Sequence, residues 1–167
     1  MILYHPVDDV YHCFCRLLFI IYKLPVEEHD LKKIQILDFY YLFPGLLKKI
    51  KLPRDLNIYR NYINNIKNPY SKINDFKIIS IKLEKQIKDV VHHLAAYDLI
   101  DVNKLKRNLI QKTNDDKYIS IIEQLSGYDN ELLDFLVDVL ARIPLNGEDG
   151  LKARTGLFEH RYDYVES

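Results

Sequence analysis

Residues 34–47, IQILDFYYLFPGLL, cannot face water on any side if they are helical, and the rest of the fold follows from that constraint. From Ile36 to Phe43 only Asp38 is charged, so a helix here needs neighbours around most of its circumference, where a surface helix needs them along one stripe. Pro44-Gly45 stops it. Asp38 is the informative exception. A carboxylate buried in such a run has to be paired or hydrogen-bonded, and Arg16 or Arg161 is the natural partner. A structural ion pair is favoured over catalysis, and Asp38, Phe39, Phe43 and Pro44 are read as structural.

Working outward, Val7, Val10, Phe14, Leu17 and Ile21 step by three and four, which predicts a helix over Pro6–Lys23 ended by Pro25. The central helix starts after Glu27-Glu28, and the short link predicts antiparallel packing of the two. Leu46–Leu52 adds a helical turn before Pro53, Leu56–Ile66 forms a helix, and Lys67–Asn74 is a polar connection. Phe76, Ile79, Leu83, Ile87, Val90, Leu94 and Tyr97 define the longest amphipathic helix.

After that helix the pattern changes. Leu99–Val102 and Leu109–Thr113 read as two short strands around a polar Asn103–Asn108 segment, the outline of a winged-helix unit with Lys104, Lys106, Arg107 and Lys112 on the wing. A helix follows over Asp116–Leu125, ended by Gly127. Another, capped by Asp129 or Asn130, carries Leu132, Leu136, Val139 and Ile143 and stops at Pro144. The predicted fold is mainly α: a helical domain with a small β-hairpin, winged-helix-like. It is one domain, with a helical lobe over 1–70, the winged-helix-like unit over 75–113, C-terminal helices over 114–145 and a docking tail over 146–167.

A chain of 167 residues that is 48% hydrophobic can fill such a core. Net charge is zero, which removes any global field for nucleic acid or membrane. The distribution is uneven: 48–72 is basic and 115–149 acidic, so the molecule is expected to be polar end to end. Lys48, Lys49, Lys51, Arg54 and Arg60, beside tyrosines able to stack on bases, and Lys104, Lys106 and Arg107 are the nucleic-acid candidates, weighed against an ordinary solvated surface. Cys13 and Cys15 read as buried thiols of a cytoplasmic protein. Phe14–Leu24 falls short of the ~20 residues a membrane span needs, and no basic region precedes it.

Catalytic signatures are missing. No glycine sits in a phosphate-cradling motif, no serine in a nucleophile elbow, and no histidine has a companion at metal-ligand spacing. His92 and His93 diverge on a helix, one expected wet and the other partly buried. Neither an enzyme nor a cofactor is expected. The tail is the densest remaining cluster: Arg154, Glu159, Arg161 and Asp163, with anchors Leu157, Phe158 and Tyr162. These residues form self-docking ion pairs and contacts, or hold a partner; Arg154, Phe158, Glu159, Arg161 and Tyr162 are the partner-binding candidates.

Three stretches together carry a resemblance: Leu37-Asp38-Phe39-Tyr40-Tyr41-Leu42-Phe43-Pro44, Ala95-Ala96-Tyr97-Asp98-Leu99-Ile100, and Leu157-Phe158-Glu159-His160-Arg161-Tyr162-Asp163. Over nearly its whole length the chain resembles the middle components of bacterial ABC three-component systems, the family that includes the small accessory subunit of Lamassu defence. Asp98 stands where that family commonly has glycine before the leucine-isoleucine of the wing. The resemblance implies a noncatalytic subunit, similar to winged-helix accessory subunits of SMC complexes, that joins an SMC-like or Rad50-like ATPase to an effector, often a nuclease, in defence against phage or plasmids. DNA contact within the complex is compatible with it. The rival reading is a stand-alone winged-helix DNA binder, whose affinity would fall steeply with salt.

Overall fold

Asp9 starts the first helix by accepting a hydrogen bond from the His12 amide at 2.9 Å, so α1 runs Val10–Lys23. The computed structural model describes residues 8–67 and 75–158, and the expected Pro6 start lies outside them. Every residue of α1 from Cys15 to Ile21 is buried, as is Cys13, so its middle is enclosed around the whole girth. One apolar stripe underestimates this, because α1 is wrapped by the central helix and by three later ones.

The central helix α2 spans Leu31–Leu42. It begins after Glu27-Glu28, as expected, with Asp30 as the cap, whose carboxylate accepts from the Lys32 amide at 2.8 Å. Residues 34–40 are all buried, as their composition demands. The helix stops before Pro44, which opens a 3-10 segment over Pro44–Lys49. Asp38 is fully buried and meets Arg16 through two hydrogen bonds, Nε to Oδ1 at 2.7 Å and Nη2 to Oδ2 at 3.1 Å. Arg16, in the preceding helix, takes the carboxylate; Arg161, the other candidate, lies outside the described residues.

The Leu56–Ile66 segment divides into a 3-10 turn, Arg54–Tyr59, and helix α3, Arg60–Asn65. Helix α4, Phe76–Ala96, is the longest, with Leu83, Ile87, Val90, Val91 and Leu94 buried against α1 and α2. His92 and His93 are both exposed, against the expectation that one would be partly buried, because Val91 and Leu94 occupy the inner face at that turn.

The hairpin after α4 differs from the two-stranded wing outlined by the sequence. Ile100 and Lys112 form a single antiparallel bridge. Between them Asp101 accepts hydrogen bonds from the amides of Asn103 (2.7 Å) and Lys104 (3.0 Å) and so starts one helical turn, α5, Val102–Leu105. Asp98 and Asn108 take left-handed backbone, φ +55 and +58, which short polar side chains tolerate. Asp98 thereby adopts the conformation that a glycine favours. Strand β1, His29–Asp30, pairs antiparallel with β2, Leu109–Ile110, His29 opposite Ile110, so the returning segment is spent on the α1–α2 connection. Lys112, expected on the wing, donates to the Tyr22 carbonyl at 2.8 Å and pairs with Asp115 at 2.9 Å.

Asn114 caps α6, Asp115–Ile122, and Asp129 caps α7, Asn130–Asp138, which continues into a 3-10 turn, Leu140–Arg142. Helices α1 and α2 form the centre, covered by α4 and α7, with α6 against α1. Tyr118 of α6 is fully buried and donates to the Leu99 carbonyl at 2.8 Å.

Several buried acids in this core are held protonated. Burial pushes the Cys13 thiol up to about 12 from an ordinary 9.0 and raises the Tyr40 and Tyr118 hydroxyls as well. The folded chain binds these protons more tightly than the unfolded one, so the stability they confer is complete below pH 9 and is lost as pH rises toward 12. The unfolding free energy measured in urea should fall on going from neutral pH to pH ~10.5, by about 1–2 kcal/mol for Cys13 alone. A Cys13→Ala variant whose loss matched the wild type would remove that assignment.

Candidate partner-binding surfaces

The tail candidates were expected to serve the chain's own body or a partner; in the described part they touch the chain's own body. Helix α8, Leu151–Thr155, ends at Gly156, whose φ of +66 suits a residue without Cβ. Arg154 uses its Nη2 on Asp149 Oδ1 at 3.0 Å, its Nε on the Asp149 carbonyl and its Nη1 on the Lys51 carbonyl. Phe158 is half-buried against the core, with the Lys32 ammonium 5.6 Å from its ring centre. Glu159, Arg161 and Tyr162 lie outside the described residues.

The basic candidates fall into two sets. Lys48, Lys49, Lys51 and Arg54 are exposed, whereas Arg60 is half-buried and donates to the Ile50 carbonyl at 3.2 Å. In the other set Lys104 is ion-paired with Glu28, while Lys106 and Arg107 face solvent. The basic and acidic blocks are not at opposite ends. Tyr59 meets Phe135 of α7 edge to face at 5.8 Å and Tyr62 meets it tilted at 5.2 Å, and the Lys51 carbonyl accepts from Arg154, so the blocks lie side by side.

A surface that the sequence does not announce lies where α1, the end of α4 and α6 meet. Val10, Tyr11, Phe14, Tyr97 and Ile121 line an apolar groove of about 800 Å³, with Phe14 and Tyr97 edge to face at 6.3 Å. Val10, Tyr11 and Tyr97 remain 54%, 63% and 68% exposed, and the Lys117–Asp98 ion pair borders them. Val10 and Tyr97 carry the helical spacing of inward-facing residues, but they stand at helix ends, beyond the reach of the neighbouring helices.

The model of one family, ABC-three component (ABC-3C) system Middle Component 5, matches residues 2–163. The chain belongs to this family. The comparisons found no match among curated proteins or among solved structures. As a middle component the chain is an accessory part of a multi-component system, and proteins are its partners. Among the described residues of this middle component, no helix is long and apolar enough to cross a membrane, and no group of three or more His, Cys, Asp or Glu is placed to hold a metal ion.

Proposed function

We propose that this middle component is a noncatalytic adaptor that joins an SMC-like or Rad50-like ATPase to an effector, a nuclease by family resemblance, in a Lamassu-type defence complex against phage or plasmids. One observation carries the reading: three large side chains, Val10, Tyr11 and Tyr97, stand uncovered around one apolar groove. Aromatic anchors grouped in this way are what a protein partner covers on assembly. The tail beyond Phe158, with Arg161 and Tyr162, supplies a second contact. If DNA touches this subunit inside the complex, the exposed Lys48, Lys49, Lys51 and Arg54 are where it does so.

Coexpression with the two other components tests the reading. The wild type should retain both. Tyr11→Asp with Tyr97→Asp should weaken retention of one of them by roughly 10–100-fold while its circular dichroism stays that of the wild type, since both rings face solvent. Retention of neither component by the wild type, or turnover of nucleotide or DNA by the isolated chain that a single substitution abolishes, would overturn the adaptor reading.

A further inference from the structure

The trough between α3 and α7 is built unlike the apolar groove. Its floor is aromatic, Tyr59 and Tyr62 against Phe135. Two hollows of about 590 and 320 Å³ share Tyr62 and Glu131, so together they run the length of α7. The rim on the α7 side is anionic. Asp129, Glu131, Asp134 and Asp138 all line it, and the cation among the described lining residues is Lys67.

These carboxylates are unequally engaged. Asp129 caps α7 by accepting from the Leu132 amide at 3.0 Å, and Asp134 is ion-paired with Lys23. Glu131 and Asp138 are exposed and make no ion pair among the described residues. The floor feels this field: the Tyr62 hydroxyl is pushed up to about 12 by burial and, beyond that, by Glu131 and Asp129. A phosphate backbone is repelled by such a rim. A guanidinium or ammonium group is attracted twice, by the carboxylates and by the faces of the tyrosine rings.

We propose that the α3–α7 trough is the docking site for a basic segment of one of the other components, a stretch in which Lys or Arg flank an apolar anchor. The anchor packs on Phe135 and Tyr62, and the cations reach Glu131 and Asp138. This deepens the adaptor reading, on which it rests, by giving the chemistry of one partner. Apolar floor and anionic rim together call for a basic partner with an apolar anchor. A second copy of this chain, offering its own exposed Lys48, Lys49, Lys51 and Arg54, is the competing occupant, and self-association lost on reversing Glu131 and Asp138 would overturn the proposal.

The test uses the full chain and fluorescein-labelled synthetic peptides that tile the ATPase-like and effector components, read by fluorescence anisotropy. The tightest peptides should be net basic with an aromatic or aliphatic anchor, and should weaken severalfold between about 50 and about 300 mM salt. Glu131→Lys with Asp138→Lys should weaken them by at least about tenfold, because both side chains are exposed and their reversal leaves the core intact. Tight peptides that are neutral or acidic, no binding peptide at all, or binding indifferent to the double reversal would overturn the proposal. The same double variant in the coexpression assay separates the two readings. Assembly that survives the reversal removes the trough and keeps the adaptor; basic peptides that bind while the wild type retains neither component remove the adaptor and keep the trough.

Discussion

Asp38→Ala should cost this middle component about 3–5 kcal/mol. The carboxylate is fully buried and the Arg16 side chain is only 4% exposed, so removing one strands the other in a medium that cannot hydrate it. Two hydrogen bonds, at 2.7 and 3.1 Å, disappear together. Set against a total stability of about 5–15 kcal/mol, the loss takes about a fifth of it or more. Urea denaturation read by circular dichroism measures it. The paired change Arg16→Met with Asp38→Leu should recover most of the stability, since two buried charges are replaced by apolar groups of similar reach. A loss under about 1 kcal/mol in Asp38→Ala, or no recovery in the pair, would mean that the two charges do not depend on each other.

Gly150→Ala comes next. A Cβ at this position would lie 2.3 Å from the Asn146 carbonyl oxygen, 2.6 Å from its carbon and 2.7 Å from the Leu145 oxygen. All three are backbone atoms, so no side chain can swing away, and the turn itself has to open. The φ of −77° is ordinary, which leaves contact as the sole cause. Opening the turn breaks the bonds from the Leu151 amide to Pro144 (2.8 Å) and from the Lys152 amide to Leu145 (3.2 Å), which seat α8. The cost should be about 2–4 kcal/mol, at the upper end for a small-to-large change. Limited proteolysis should show the chain beyond Leu145 cut well before the rest. Gly127→Ala is the control: nothing lies within 4 Å of its Cβ, and with φ +84 it pays only backbone strain of about 1 kcal/mol. Equal losses at the two positions would remove the steric argument.

The central helix is legible in the sequence because residues 34–43 hold more apolar surface than one face can carry, and its ion pair because Asp38 in that setting requires a cation nearby. Helix ends are less legible. The three-and-four spacing that includes Val10 and Tyr97 tells which way a side chain points, not how far the neighbouring helix extends to cover it. The β1 pairing is invisible beforehand, since two residues, His29 and Asp30, are too few to alternate. Asp101 before Val-Asn-Lys-Leu is a capping signal, but it competes with the strand preference of Leu99–Val102, and the cap wins. In the candidate surfaces, Arg154 and Asp149 can be matched by charge, whereas the Lys51 carbonyl has no signature in a sequence. The acids of α7 stand out as a block; that Tyr59 and Tyr62 face them, and not the neighbouring lysines, depends on how α3 packs.

The position of α1 at the centre of the molecule has a consequence during synthesis. This helix leaves the ribosome before the surfaces that sheathe it, which belong to α4, α6 and α7, and α7 ends only at Asp138. At ordinary elongation rates of about 5–20 residues per second, Leu17, Leu18, Ile20 and Ile21 await their shield for roughly 5–20 s after α2 is complete. During that interval the nascent polypeptide displays a sticky, unshielded rod, which a chaperone or prompt capture by a companion subunit would cover.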